Sequence, residues 1–133
     1  MRKDKNCIIN PAIIAAIAAI RHTEYLVICD PGLPVSPNAV VIDISLTAGV
    51  PGFGQTLNLI CNEMVVESAI IASETAEQNP KLHEEINRLI GGKTVQQVPH
   101  EELKRLTNTA KYFVITGETT PYSNIILVGG VSF

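Results

Sequence analysis

The stretch EYLVICDPG, residues 24–32, decides the fold: an uncharged apolar run rich in β-branched and aromatic side chains lies between Glu24 and Asp30, and Pro31-Gly32 closes it. Such a run reads as a buried strand over residues 24–30 that ends in a turn, with Asp30 at its C-terminal end. Upstream, Asn10 followed by Pro11 is a helix start, since the Asn side chain caps free amides and Pro suits the first helical position. Ile13, Ile17 and Ile20 then recur at helical spacing, and Ala15, Ala16, Ala18 and Ala19 offer a small-residue face for close packing. The charged start MRKDKN ahead of this apolar run is also the pattern of a signal peptide. Asn10 and Pro11 interrupt the run, however, and the apolar stretch 11–20 is half the roughly 20 residues a membrane span needs. A folded helix over 11–20 is therefore expected, and no membrane partner.

Downstream of the deciding strand the pattern alternates. Residues 39–46 (AVVIDISL) read as a strand, Gly49 to Gly52 break the chain, and residues 53–64 form a helix with Leu57, Ile60, Cys61 and Met64 on one face. Residues 67–72 are a short strand bounded by a Glu-rich stretch. Pro80 opens an amphipathic helix to Ile90, with Leu82, Ile86, Leu89 and Ile90 inward, and Gly91-Gly92 stops it. A strand at 94–98, a helix at 99–107 and strands at 112–116 and 124–128 complete the chain. Strands alternating with helices imply an α/β sheet. The last two strands are joined by a Gly- and Pro-bearing loop without a helix, so a mixed sheet is expected rather than a purely parallel one.

The 133 residues form one domain over 1–133, large enough for a single core. With 46% hydrophobic and only 17% charged residues the chain lies far from the disordered regime, and the apolar excess points to subunit contacts. A net charge of -3, 5% aromatics and no Trp argue against nucleic acid as a partner. Cys7, Cys29 and Cys61 are an odd, widely spaced set without CxxC, and read as reduced core thiols. His22, His83 and His100 are too scattered for a local metal motif. Two glycine patterns mislead. Gly92-Lys93-Thr94 has Asn87 where a phosphate loop needs its first Gly, and Gly49, Gly52 and Gly54 lack dinucleotide spacing.

What remains is a set of polar residues just beyond strand and helix ends, where open α/β sheets place ligands. His22 follows the first helix, and by itself reads equally as a helix-terminal histidine complementing the dipole. Asp30 reads equally as a turn residue, and His100 as a helix-start residue. The loop 117–124, GETTPYSN, is the most site-like stretch, carrying hydroxyls, the Tyr122 phenol, Ser123 and the Asn124 amide between two apolar strands. Imidazole, carboxylate, phenol, amide and hydroxyl without a basic clamp suit an uncharged polyhydroxy ligand.

At these residues the chain resembles the D-ribose pyranase and L-fucose mutarotase (RbsD/FucU-like) family. The resemblance runs nearly end to end and is carried by RHTEYLVICDPGLP (21–34), IDISLTAGVP (42–51), NEM and the apolar strand after it (62–72), PHEELK (99–104) and TGETTPYSNIILVGGVSF (116–133). It implies a three-layer α/β/α domain with a mixed central sheet, assembled as a ring-shaped homodecamer with sites between neighbouring subunits. The implied activity is cofactor-independent and metal-free interconversion of the pyranose, furanose and anomeric forms of a free monosaccharide. His22 would be the acid/base residue, and Asp30, His100, Tyr122 and Asn124, with Ser123 between the last two, would bind the sugar. The Asp-Pro-Gly-Leu-Pro run at 30–34 is similar to the DAGLP pattern of the ribose branch, so D-ribose is the expected substrate. An L-fucose-type mutarotase is the alternative within the family, and a non-enzymatic sugar-binding ring accessory to transport is the rival from another class. Arg21, Glu24 and Pro31 depart from the usual Gly, Asp and Ala and bear on substrate preference. A cytoplasmic location and a functional link to a sugar transporter and a sugar kinase accompany the resemblance.

Overall fold

A computed structural model describes residues 1, 3 and 5–133 of the chain. In order the elements are α1 (Pro11–Ala19), β1 (Tyr25–Cys29), β2 (Val40–Asp43), α2 (Phe53–Glu63), β3 (Val66–Ala72), α3 (Ser73–Gln78), α4 (Pro80–Ile90), β4 (Val95–Val98), α5 (His100–Leu106), β5 (Tyr112–Ile115) and β6 (Ile125–Gly129). The strands form one six-stranded sheet in the order β2-β5-β1-β6-β3-β4. β1 and β2 run parallel to β5, and β3 parallel to β4, while β6 is antiparallel to both its neighbours, β1 and β3. The mixed α/β sheet expected from the sequence is the one observed.

Side chains alternate across the sheet because successive strand residues point to opposite faces. Leu26 and Ile28 of β1, with Ile125 and Leu127 of β6, pack under α1, α2 and α4 through Ile13, Leu57, Ile60, Leu82 and Ile86. Val27, Cys29, Ile126 and Phe113 face the other way, against Leu103 of α5 and Leu33 of the 30–39 connection. Burying β6 on both faces explains its continuous apolar sequence. The Asn10 side chain accepts from the Ile13 amide at 3.1 Å, as the cap reading requires, and α4 ends on Gly91 in the left-handed conformation. The charged start includes residues 2 and 4, which lie outside the described residues.

Several details differ from the pattern-based expectation. α3 falls in the Glu-rich stretch, whose six residues carry no apolar period to reveal a helix. The strand expected to Leu46 ends at Asp43, because the Asp43 carboxylate accepts the Ser45 amide and hydroxyl and turns the chain out of the sheet, leaving Leu46 81% exposed. Of the alanines in α1 only Ala16 is buried; Ala15, Ala18 and Ala19 face outward. Cys29 is buried as a core thiol, and burial, with Asp30 and Asp43 nearby, pushes its pKa up to about 12. Cys7 and Cys61 are only part-buried, and none of the three forms a disulfide.

At the C-terminal end of β6 two backbones approach closely. Gly129 exchanges hydrogen bonds with the turn after α1, Thr23 N donating to its carbonyl and its own N–H donating to Glu24 O, each at 2.8 Å. A Cβ on Gly129 would sit 2.4 Å from the Arg21 carbonyl oxygen. Gly129→Ala should therefore force the 21–24 turn away from the sheet and cost roughly 1–3 kcal/mol, the range for an added methyl in a packed site. A urea midpoint equal to wild type would show that the turn yields without cost.

Candidate functional site

Five strands run parallel, and their C-terminal ends define one edge of the sheet. Asp30 follows β1 there, Ser73 and Glu74 follow β3, His100 follows β4, and residues 116–124 connect β5 to β6. Because β5 and β6 flank β1, this connection crosses over the end of β1 and brings Asn124 onto Asp30. Asn124 Oδ1 accepts from the Asp30 amide at 3.1 Å, and Thr116 donates from both its amide and its hydroxyl to Cys29 O at 2.9 Å. Asp30 Oδ1 in turn accepts from the Gly32 amide at 2.9 Å, the turn role its Asp-Pro-Gly context suggests.

Tyr122 lies beside this pair with φ 55, a conformation uncommon for a bulky residue and held here by its surroundings. The buried Thr75 hydroxyl donates to the Tyr122 carbonyl at 3.0 Å, and Asn79 Nδ2 donates to Thr120 Oγ1 and Pro121 O. The His100 and Tyr122 rings meet edge to face, centroids 5.1 Å apart at 78°. The His100 amide donates to both Glu74 carboxylate oxygens, at 3.0 and 3.2 Å. Burial pushes the Glu74 carboxyl up, but bonds from its own amide, the His100 amide and the Ser73 hydroxyl outweigh this and hold it below the usual glutamate value. His100 Nδ1 is buried without a hydrogen-bond partner. Ser123 is fully buried, its hydroxyl bonded to Thr120 O at 2.8 Å and to Thr120 Oγ1 at 2.9 Å. In this chain it braces the loop.

His22 is elsewhere. It precedes β1, whose five residues at about 3.3 Å each carry the chain across the sheet to Asp30, so the two stand at opposite edges. His22 Nε2 lies 3.0 Å from Glu67 Oε1, both side chains about half exposed at 51% and 50%. His22 borders an open groove of about 500 Å³, shared with Ile20, Glu63, Val131 and Phe133. Asp30, His100, Tyr122, Ser123 and Asn124 thus converge at one edge, and His22 stands alone at the other. Among the described residues no group of three or more His, Cys, Asp or Glu is placed to hold a metal ion. No helix among them is long and apolar enough to cross a membrane.

Residues that pattern reading passed over organise the loop, above all Glu118. Its carboxylate accepts from the Phe53 amide at 2.9 Å and from the Thr119 amide, the Thr120 amide and the Thr120 hydroxyl. The N-cap of α2, Gly52, has no side chain to cap with, and Glu118 supplies the missing acceptor from a distant loop. Its position inside GETTPYSN was visible, but nothing local pairs it with Phe53.

The chain belongs to a known class, the RbsD / FucU transport protein family, whose model it matches over residues 3–132. It is 43% identical over 129 residues to the D-ribose pyranase of Geobacillus kaustophilus (strain HTA426), covering 97% of this chain and 95% of that one. It is 44% identical over 141 residues to the D-ribose pyranase of Histophilus somni (strain 129Pt), covering both completely. The solved structure of Bacillus subtilis RbsD complexed with D-ribose superposes over 100% of both chains with a TM-score of 0.94 at 38% identity.

Partial burial pushes the Glu118 carboxyl up, but the bonds from Phe53, Thr120 and Thr119 outweigh it and hold the value below that of an ordinary glutamate. A carboxyl lowered on folding stabilises fully above its unfolded value, and that contribution is lost as pH falls through the lowered one. Glu118→Ala should cost about 0.5–2 kcal/mol, as loss of a helix cap does. The deficit should be largest at neutral pH and shrink in acid. Urea titrations of both proteins across acid pH check this; a deficit independent of pH would remove the carboxylate from the cap.

Proposed function

We propose that this chain interconverts the pyranose and furanose forms of free D-ribose, as an enzyme without a cofactor. The observation that carries the reading is the buried, unpartnered His100 Nδ1 beside Tyr122, Asn124 and Asp30 at one sheet edge. These are donors and acceptors for neutral hydroxyls on a rigid frame, and the relatedness to D-ribose pyranases and to RbsD bound to D-ribose supports the choice of sugar. Asp30, His100, Tyr122 and Asn124 bind ribose, with Ser123 bracing the loop between them.

The reaction needs one acid/base group. A base takes the proton of the anomeric hydroxyl as the bond from C1 to the ring oxygen breaks, and the ring oxygen receives a proton. The open aldehyde rotates, the hydroxyl on C4 adds to C1, and the proton inventory returns to its start. An imidazole can give and take at neutral pH, and such help is worth roughly 10²- to 10⁴-fold. His22 fills this role.

His22 stands at the opposite edge from the sugar-binding residues, so a second copy of the chain brings its His22 to the first copy's edge. Exposed Ile9, Val40, Leu46 and Phe133 supply apolar surface for such contacts, and copies close into a decameric ring. A free-sugar product fits a cytoplasmic enzyme working between a sugar transporter and a sugar kinase.

Saturation-transfer NMR on D-ribose should show exchange between pyranose and furanose signals with wild-type protein and none with His22→Ala. Absence of exchange in wild type would overturn the reading. His22→Ala and His100→Ala should each be inactive, yet rings co-assembled from equal amounts should recover about a quarter of wild-type activity, since random neighbours complete one site in four. No recovery would overturn the shared site, and a light-scattering mass of one or two chains would overturn the ring.

A further inference from the structure

Glu67 sits at a break in the register between β3 and β6. Val66 pairs with Gly129 and Ser68 with Val128, so two steps along β3 match one along β6 and Glu67 is the extra residue of a β-bulge. Bulges re-aim a side chain at a local cost in ladder bonding. The parity confirms it: Val66 and Ala69, three apart, pack into the same core layer. The bulge turns Glu67 out of the sheet toward His22. On the other side His22 sits on a turn fixed at three points: Thr23 has φ 70, its amide donates to Gly129 O, and the Arg21 amide donates to Glu24 Oε1 at 2.8 Å. Both partners of the 3.0 Å contact are therefore placed by backbone geometry rather than by long side chains finding each other.

Other carboxylates at element ends bind backbone: Glu63 takes the Ile8 amide, Glu24 the Arg21 amide, Glu74 the His100 amide and Glu118 the Phe53 amide. Glu67 instead takes an imidazole. An exposed pair of this kind adds little stability. Distorting a strand for it therefore makes sense through what it does to the imidazole.

We propose that Glu67 is the positioning residue of His22, fixing its ring and its tautomer for ring opening; this rests on the reading of His22 as the acid/base group. A carboxylate only accepts, so Nε2 carries the proton of the neutral ring and Nδ1 is left with the lone pair. Nδ1 takes the proton of the anomeric hydroxyl, and Nδ1 returns it to the ring oxygen. Glu67 holds the imidazolium that forms between these transfers without itself taking a proton. Arg21 and Glu63 border the same groove, Arg21 from the turn and Glu63 from the end of α2.

The test pairs kinetics with imidazole NMR. In Glu67→Gln, kcat for ribose exchange should fall roughly 10- to 100-fold, the scale on which removing a carboxylate behind a histidine acts. KM should stay at the wild-type value, because Glu67 does not touch the sugar. Two-bond ¹⁵N–¹H spectra, with His22 assigned by its loss in His22→Ala, should place the neutral-ring proton of wild type on Nε2 and shift it toward Nδ1 in Glu67→Gln, whose amide can donate. Wild-type kcat in an assembled Glu67→Gln ring, or a wild-type ring protonated on Nδ1, would overturn the proposal. If the variant fails to assemble, the wild-type tautomer alone decides. Wild-type protein that exchanges no ribose would instead overturn the catalytic reading, while the tautomer still reports on the pair.

Discussion

Strand β6 runs against five parallel strands, and the polar clusters at both edges of the sheet follow from that one reversal. A parallel β6 would need a crossover connection of a dozen or more residues, usually a helix. The chain provides residues 116–124 instead, which are long enough only to step over β1 and descend beside it. Stepping over β1 lays Tyr122 to Asn124 on Asp30. Descending puts Gly129 at the far edge, where its close contact with the Arg21 to Glu24 turn sets His22 and its pairing with β3 creates the bulge at Glu67. One apolar strand, IILVG, buried on both faces, thereby fixes two sets of polar residues at its two ends.

Much of this was legible because burial has a period. Leu82, Ile86 and Ile90 mark α4, and the uncharged runs of β1, β5 and β6 mark central strands. The helix-free loop before β6 announced a mixed sheet. What stayed hidden depends on partners distant in sequence. Glu118 caps a helix 65 positions away, and Glu67 finds His22 across 45. The bulge leaves no trace in VESAIIA, whose residues would serve an unbroken strand equally well. Likewise α3 is short and polar on most sides, and owes its place to Thr75 reaching Tyr122. The end of β2 at Asp43 was in principle readable, since Asp and Ser two apart form a local turn that competes with the ladder.

The candidate sugar site was visible as residue types and not as an arrangement. Asp30, His100, Tyr122, Ser123 and Asn124 do gather, but with two kinds of duty. Asn124 gives its carbonyl oxygen to the Asp30 amide and Ser123 both its hydroxyl contacts to Thr120, so each is partly engaged in holding the loop. His100 is different: its backbone is anchored on Glu74 while its ring nitrogen is left over. A buried polar atom without a partner costs about 1–3 kcal/mol, so a ligand hydroxyl that pairs with it recovers a cost already present in the folded chain.

The departures from the family pattern at 21, 24 and 31 look disruptive in sequence and are absorbed locally. Glycine at 21 would matter if the backbone there needed positive φ, but the non-glycine residues with positive φ are Thr23 and Tyr122, so Arg21 is unstrained. Glu24 reaches back to cap the Arg21 amide with one oxygen and lies 3.8 Å from Lys111 Nζ with the other, so a longer acid secures the turn that carries His22. Pro31 follows Asp30, whose carboxylate already holds the Gly32 amide, and its fixed φ suits the second position of that turn. Pro31 borders an open groove with Ser45, Leu46, Thr47 and Thr119. All three departures therefore act on the frame around the candidate site, through turns and surface that other side chains already hold.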